Sequence, residues 1–126
     1  MEMQNDRLKF REEFQERVYR FALDVIGLVE RLPNGQTSRI IGDQLLRSAT
    51  SIGANVIEAQ GASSRRDYAN FFTYALKSAN ETKFWLDLLR DSGKAQADVT
   101  DKILNEVTEI SKILAKSILT VKGKIV

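Results

Sequence analysis

Neither cysteine nor histidine occurs anywhere in the chain. No disulfide, thiol nucleophile or thiolate metal site can form, and nothing points to an oxidising compartment. The missing imidazole removes the commonest general base, the serine and cysteine triads, and the Glu-x-x-His ligand sets of di-iron bundles. Proline occurs once, at Pro33, and no strand-like alternation of apolar and polar residues competes with helical patterning. The longest uncharged run, residues 48–57, falls far short of the ~20 apolar residues of a membrane-spanning helix. Residues 1–20 interleave acidic and basic side chains instead of following the pattern of a secretion signal, so a cytoplasmic protein is expected. Nineteen basic residues against 17 acidic ones leave a net charge of +2, too small to steer a polyanion by overall field. Any basic surface has to be local.

What is present is helical periodicity. At 126 residues the chain fits one domain, 1–126, able to bury a core without disulfides or metal. Breakers at Pro33-Asn34-Gly35, Gly61-Ala62-Ser63 and Ser92-Gly93 divide it into four segments of helical length. The first, about residues 6–32, carries a seam of Phe10, Phe14, Val18, Phe21, Val25, Leu28 and Leu32 at alternating steps of four and three. Thr37 or Ser38 is expected to cap the second helix, which runs to about Gln60, with Gly42 and Gly53 read as points of close helix contact. Ser64-Arg65-Arg66-Asp67 reads as a capping box opening the third helix, and Gly93 as its left-handed stop. Asp98 with Asp101 offers a second box before the fourth helix. Short connections make neighbours antiparallel, so the expected fold is an all-α, up-down-up-down four-helix bundle.

Three sets of residues stand apart from the core pattern. Gln44, Arg47, Ser51, Asn55 and Glu58 recur along one flank of the second helix, and the expectation is a polar network that sets helix register, within the bundle or between subunits. As a metal or catalytic pair Asn55 and Glu58 are poor, because a hard cation wants several oxygen ligands. Tyr74, Phe84, Trp85 and Leu88 fall opposite the inner seam of the third helix, and Tyr19 and Ile26 give the first helix more apolar surface than one core needs. Such surfaces point to self-association. Finally, antiparallel topology gathers Arg7, Lys9, Arg11, Arg65, Arg66, Lys116, Lys122 and Lys124 at one end of the bundle, with Glu2, Asp6, Glu12, Glu13, Glu58 and Asp67 among them. Of these, Arg65, Arg66, Lys116, Lys122 and Lys124 are the candidate phosphate contacts, arginine and lysine releasing counterions without reading bases.

The run Gln-Leu-Leu-Arg-Ser-Ala-Thr-Ser-Ile-Gly-Ala-Asn-Val-Ile-Glu-Ala-Gln-Gly-Ala from residue 44, with Ser64-Arg65-Arg66-Asp67-Tyr68, Ala75-Leu76-Lys77 and Glu81-Thr82-Lys83-Phe84-Trp85-Leu86, resembles the four-helix bundle proteins of 23S ribosomal RNA intervening sequences. The resemblance is densest over residues 41–90. It implies a ring-shaped homopentamer with no enzymatic activity and no cofactor. It also implies kinship with accessory proteins of diversity-generating retroelements, which bind a reverse transcriptase and nucleic acid through basic surfaces. This chain departs from them in its nearly balanced charge. The expected function is therefore a non-enzymatic, self-assembling scaffold associated with RNA or DNA, the alternative being a protein-interaction ring with no nucleic-acid role.

Overall fold

Four helices carry the chain: α1 (Glu2–Glu30), α2 (Gln36–Ala59), α3 (Arg65–Asp91) and α4 (Ala97–Val121). This computed structural model describes residues 2–123, and among them there is no strand. Each helix packs on its neighbours in sequence and α4 returns to α1, while the diagonal pairs stay apart. That is the antiparallel bundle expected from the short connections.

The helix boundaries follow from local chemistry. No breaker precedes position 6, so α1 starts earlier than its apolar seam; at its other end the amides of Arg31 and Leu32 bond Leu28 and Val29 at 3.1 Å in a tightened last turn. Pro33 then forbids continuation. Neither Thr37 nor Ser38 caps α2, contrary to expectation. Gly35, at φ 145°, reverses the chain in a region that favours glycine, and the helix is already under way at Gln36. Ser38 is consequently buried inside the bundle. The box at α3 forms in a shifted version: Ser64 Oγ accepts from the Asp67 amide at 3.0 Å, while the Asp67 carboxylate reaches past the cap to accept from the Ser63 amide at 3.1 Å. Gly93, at φ 75°, closes α3 with its amide on Arg90 and that of Lys94 on Leu89, the paired bonds of a Schellman stop. The second box is absent. Gln96 is the N-cap of α4 without a side-chain bond, and Asp101 instead accepts from Arg90 Nη1 at 2.9 Å.

The seams meet in one core. Phe21, Val25, Leu45, Ile52, Val56, Phe72, Leu86, Leu89, Val107, Ile110 and Leu114 are buried from all four helices, and alanines at 75 and 79 let α3 lie close to its neighbours. Within this apolar interior the hydroxyls of Ser48 on α2 and Thr82 on α3 hydrogen-bond at 2.9 Å, both residues buried. The loosest neighbouring pair, α1 and α4, is joined by a bidentate ion pair: Arg17 Nε to Glu106 Oε2 at 2.7 Å and Nη2 to Oε1 at 2.8 Å. That hydrogen bonding raises the Arg17 pKa against the opposing effect of burial, so the guanidinium stays charged at any workable pH.

Candidate nucleic-acid interface

Every described side chain from Asn5 to Glu13 is exposed, and burial in α1 begins only at Phe14. The first turns of α1 therefore stand clear of the core at the end where α2 finishes, α3 starts and α4 finishes. Several of the positions lining this end are small, Ala59, Ala62, Ser63, Ser117 and Thr120, beside the larger Gln60, Tyr68, Ile113 and Val121. Small side chains beside a loosely held helix leave an open cleft of about 1130 Å³.

Arg7 and Arg11 of α1, Arg65 of α3 and Lys116 of α4 line that cleft, with Asp6 the single acidic residue among the described residues that do so. A smaller depression of about 450 Å³ adjoins it, sharing Arg65 and adding Arg66 and Lys122. The structure thus brings Arg65, Arg66, Lys116 and Lys122 into one surface; Lys124 lies outside the described residues. Arg7 and Arg11 join them. Sequence reasoning placed these two at this end but not among the phosphate contacts, since the acids beside them in the chain, Glu12 and Glu13, blur the count. Two of the nearby acids are engaged locally: Glu13 meets Lys9 of its own helix at 3.9 Å, and the Asp67 carboxylate accepts from Ser63. No ion pair among the described residues involves Arg7, Arg11, Arg65, Arg66, Lys116 or Lys122. One element of the helix N-terminus reading changes. The Asp67 amide is already capped by Ser64, so an anion here would be met chiefly by side chains.

The cleft also has an aromatic wall. Phe10 stacks on Phe14 at 6.0 Å between ring centroids, Phe14 approaches Phe72 at 6.2 Å, and Phe72 stacks on Tyr68 at 4.7 Å. Both ends of that run, Phe10 and Tyr68, line the cleft. The Arg11 guanidinium lies over the Tyr68 ring at 5.9 Å.

The polar flank of α2 behaves differently from a network within the chain. Asn55 donates to the Ser51 carbonyl of its own helix at 2.8 Å, whereas Arg47 and Glu58 are exposed, and among the described residues the side chains of Gln44, Arg47 and Glu58 make no hydrogen bond. The polar contact that does cross between helices uses Ser48 with Thr82, a pair whose partner on α3 could not be read from the periodicity of α2.

Of the outward apolar residues, Tyr19, Ile26, Tyr74, Phe84 and Leu88 are exposed. Trp85 is a correction: it is half-buried and packed against the core, its indole N–H donating to Glu81 Oε2 at 2.9 Å. Four residues before Leu89, it lies on the margin of the inner seam, not opposite it. Among the described residues no helix is long and apolar enough to cross a membrane, and no three acidic side chains converge as metal ligands.

Comparison with known proteins agrees with this architecture. The family of 23S rRNA-intervening sequence proteins matches residues 12–116. A crystal structure of a protein with unknown function from the S23 ribosomal protein family of Bacteroides thetaiotaomicron superposes with a TM-score of 0.79 at 40% identity, covering 83% of this chain and 97% of that one. No curated protein matches significantly.

Proposed function

The chain belongs to the 23S rRNA-intervening sequence protein family, and from that premise we propose that it is a non-enzymatic, self-assembling scaffold that binds RNA or DNA through the phosphate backbone. The observation that carries this reading is the clustering of Arg7, Arg11, Arg65 and Lys116 around one cleft with Asp6 as the only acid among the described residues that line it, continued by Arg66 and Lys122. Flexible cations on an open surface fit phosphates without constraining sequence, so affinity should vary little with base composition. Self-assembly would repeat the cluster and convert a modest local charge into a multivalent one.

The test is fluorescence anisotropy with labelled RNA and DNA across a salt series. The logarithm of affinity should fall linearly with the logarithm of salt concentration, by roughly 0.7–0.9 for each phosphate neutralised. Arg65→Ala/Arg66→Ala and Lys116→Ala/Lys122→Ala should each weaken binding at low salt and flatten that slope. A second reading, a protein-interaction ring without nucleic acid, is favoured by the exposed Tyr74, Phe84 and Leu88. Absence of binding at low salt, or equal binding by parent and variants, would leave that second reading standing.

A further inference from the structure

We propose that the cleft selects single-stranded over duplex nucleic acid, seating an unstacked base against Phe10 while the surrounding cations hold the adjacent phosphates. This rests on the phosphate-binding reading and extends it to the kind of strand recognised.

Phe10 is 46% exposed although it is a large apolar ring. Its ring lies nearly parallel to that of Phe14, offset at 6.0 Å between centroids with an interplanar angle of 8°, and Phe14 is itself buried in the core. Phe10 lines the cleft that also presents Arg7, Arg11, Arg65 and Lys116. Tyr68 also lines the cleft, but Phe72 stacks on its ring and Arg11 lies over it, so it is an edge contact and not a platform. An aromatic side chain already held in position, inside a concavity rimmed by cations, is the arrangement that single-strand binders use: every base has a stacking face, and the backbone follows the positive groove. A duplex keeps its bases stacked inward and cannot supply one to Phe10.

The inference makes a prediction opposite to that of phosphate binding alone. Duplex DNA carries the denser charge and releases more counterions per contact, so a surface that recognises only phosphate should favour the duplex. A preference for the single strand therefore reports the base.

The experiment uses the full chain and measures anisotropy of labelled oligothymidylate, an abasic oligomer of the same length, and a duplex of the same length, at one salt concentration. The thymidylate should bind about tenfold tighter than the abasic strand, since stacking of one base on an aromatic residue has about that effect, and tighter than the duplex. Phe10→Leu, which keeps the apolar contact with Phe14, should bring the thymidylate down to the abasic level and leave duplex binding unchanged. Phe10→Tyr should retain the preference. Circular dichroism and sedimentation confirm that the variants keep the parent's helix content and assembly. Duplex binding equal to or tighter than single-strand binding, or thymidylate affinity unmoved by Phe10→Leu, overturns the inference while phosphate binding survives. No binding of any of the three overturns both.

Discussion

Ser48 and Thr82 show what a single buried polar contact does in an otherwise apolar bundle. Their hydroxyls meet at 2.9 Å between α2 and α3, and Ser48 also reaches its own helix's Leu45 carbonyl at 3.2 Å. Among the described residues no buried side-chain polar atom is left without a partner. Removing one half of such a pair costs about 1 kcal/mol, whereas replacing both by apolar groups of similar shape is nearly neutral. Thr82→Val should accordingly lower the unfolding free energy by about 1 kcal/mol, and Thr82→Val combined with Ser48→Ala should lose less than the sum of the two single changes. Urea denaturation of the four proteins measures this. Additive losses would show that the pair contributes no coupling to the packing of α2 on α3.

The helices differ in how firmly they are held. On α2 two glycines sit at positions where alanine would favour the helix by about 1 kcal/mol, yet their surroundings are unlike. A methyl group at Gly42 would come within 3.2 Å of Leu32 Cδ1 and 3.4 Å of Val29 Cγ1, so this glycine lets the end of α1 approach. At Gly53 the nearest atom would be Val18 Cγ2 at 3.9 Å, an ordinary contact. Gly53→Ala should therefore stabilise the protein by about 0.5–1 kcal/mol, with a higher melting temperature, and Gly42→Ala should yield clearly less. Equal gains from the two would mean that Gly42 has no packing role. On the opposite side α1 meets α4 through Arg17 and Glu106, side chains that are 40% and 32% exposed, so that ion pair contributes at most about 1 kcal/mol and orients the helices more than it stabilises them. The loose seam leaves room for the cleft.

For the molecule as a whole, the unresolved demand is apolar surface. Tyr19 is 62% exposed, Tyr74 53% and Phe84 55%, with Ile26 and Leu88 also exposed. Rings standing in water on two helices are best accounted for by copies of the chain covering them, and we propose a closed homo-oligomer, a pentamer where the family resemblance is followed. Sedimentation velocity at micromolar concentration should find an assembly larger than the monomer. Tyr74→Glu/Phe84→Glu should dissociate it with helix content retained, because neither side chain belongs to the core. A parent protein that sediments as a monomer would remove the oligomer, and with it the multivalent repetition of the basic cleft.

The helix count, the turns and most of the core seams were legible from the sequence because they depend on local periodicity: Val25, Leu45, Phe72 and Leu114 are buried where their spacing puts them, and Phe10, expected in the α1 seam, is the exception. Gathering the basic residues at one end also followed, since antiparallel order alone brings the start of α1 to the end of α4. What periodicity could not supply was how side chains partition within that end. The Lys9–Glu13 pair is an i,i+4 contact that spacing along α1 already allows, whereas the exposure of Phe10, which its spacing puts in the seam, depends on what the other helices bring to that end. The same holds for Trp85, assigned outward by its opposition to part of the seam but drawn inward by the breadth of the α3 face that its neighbours cover. Spacing along one helix fixes direction about that helix's own axis; which partner waits in that direction is decided only when the other three helices are in place.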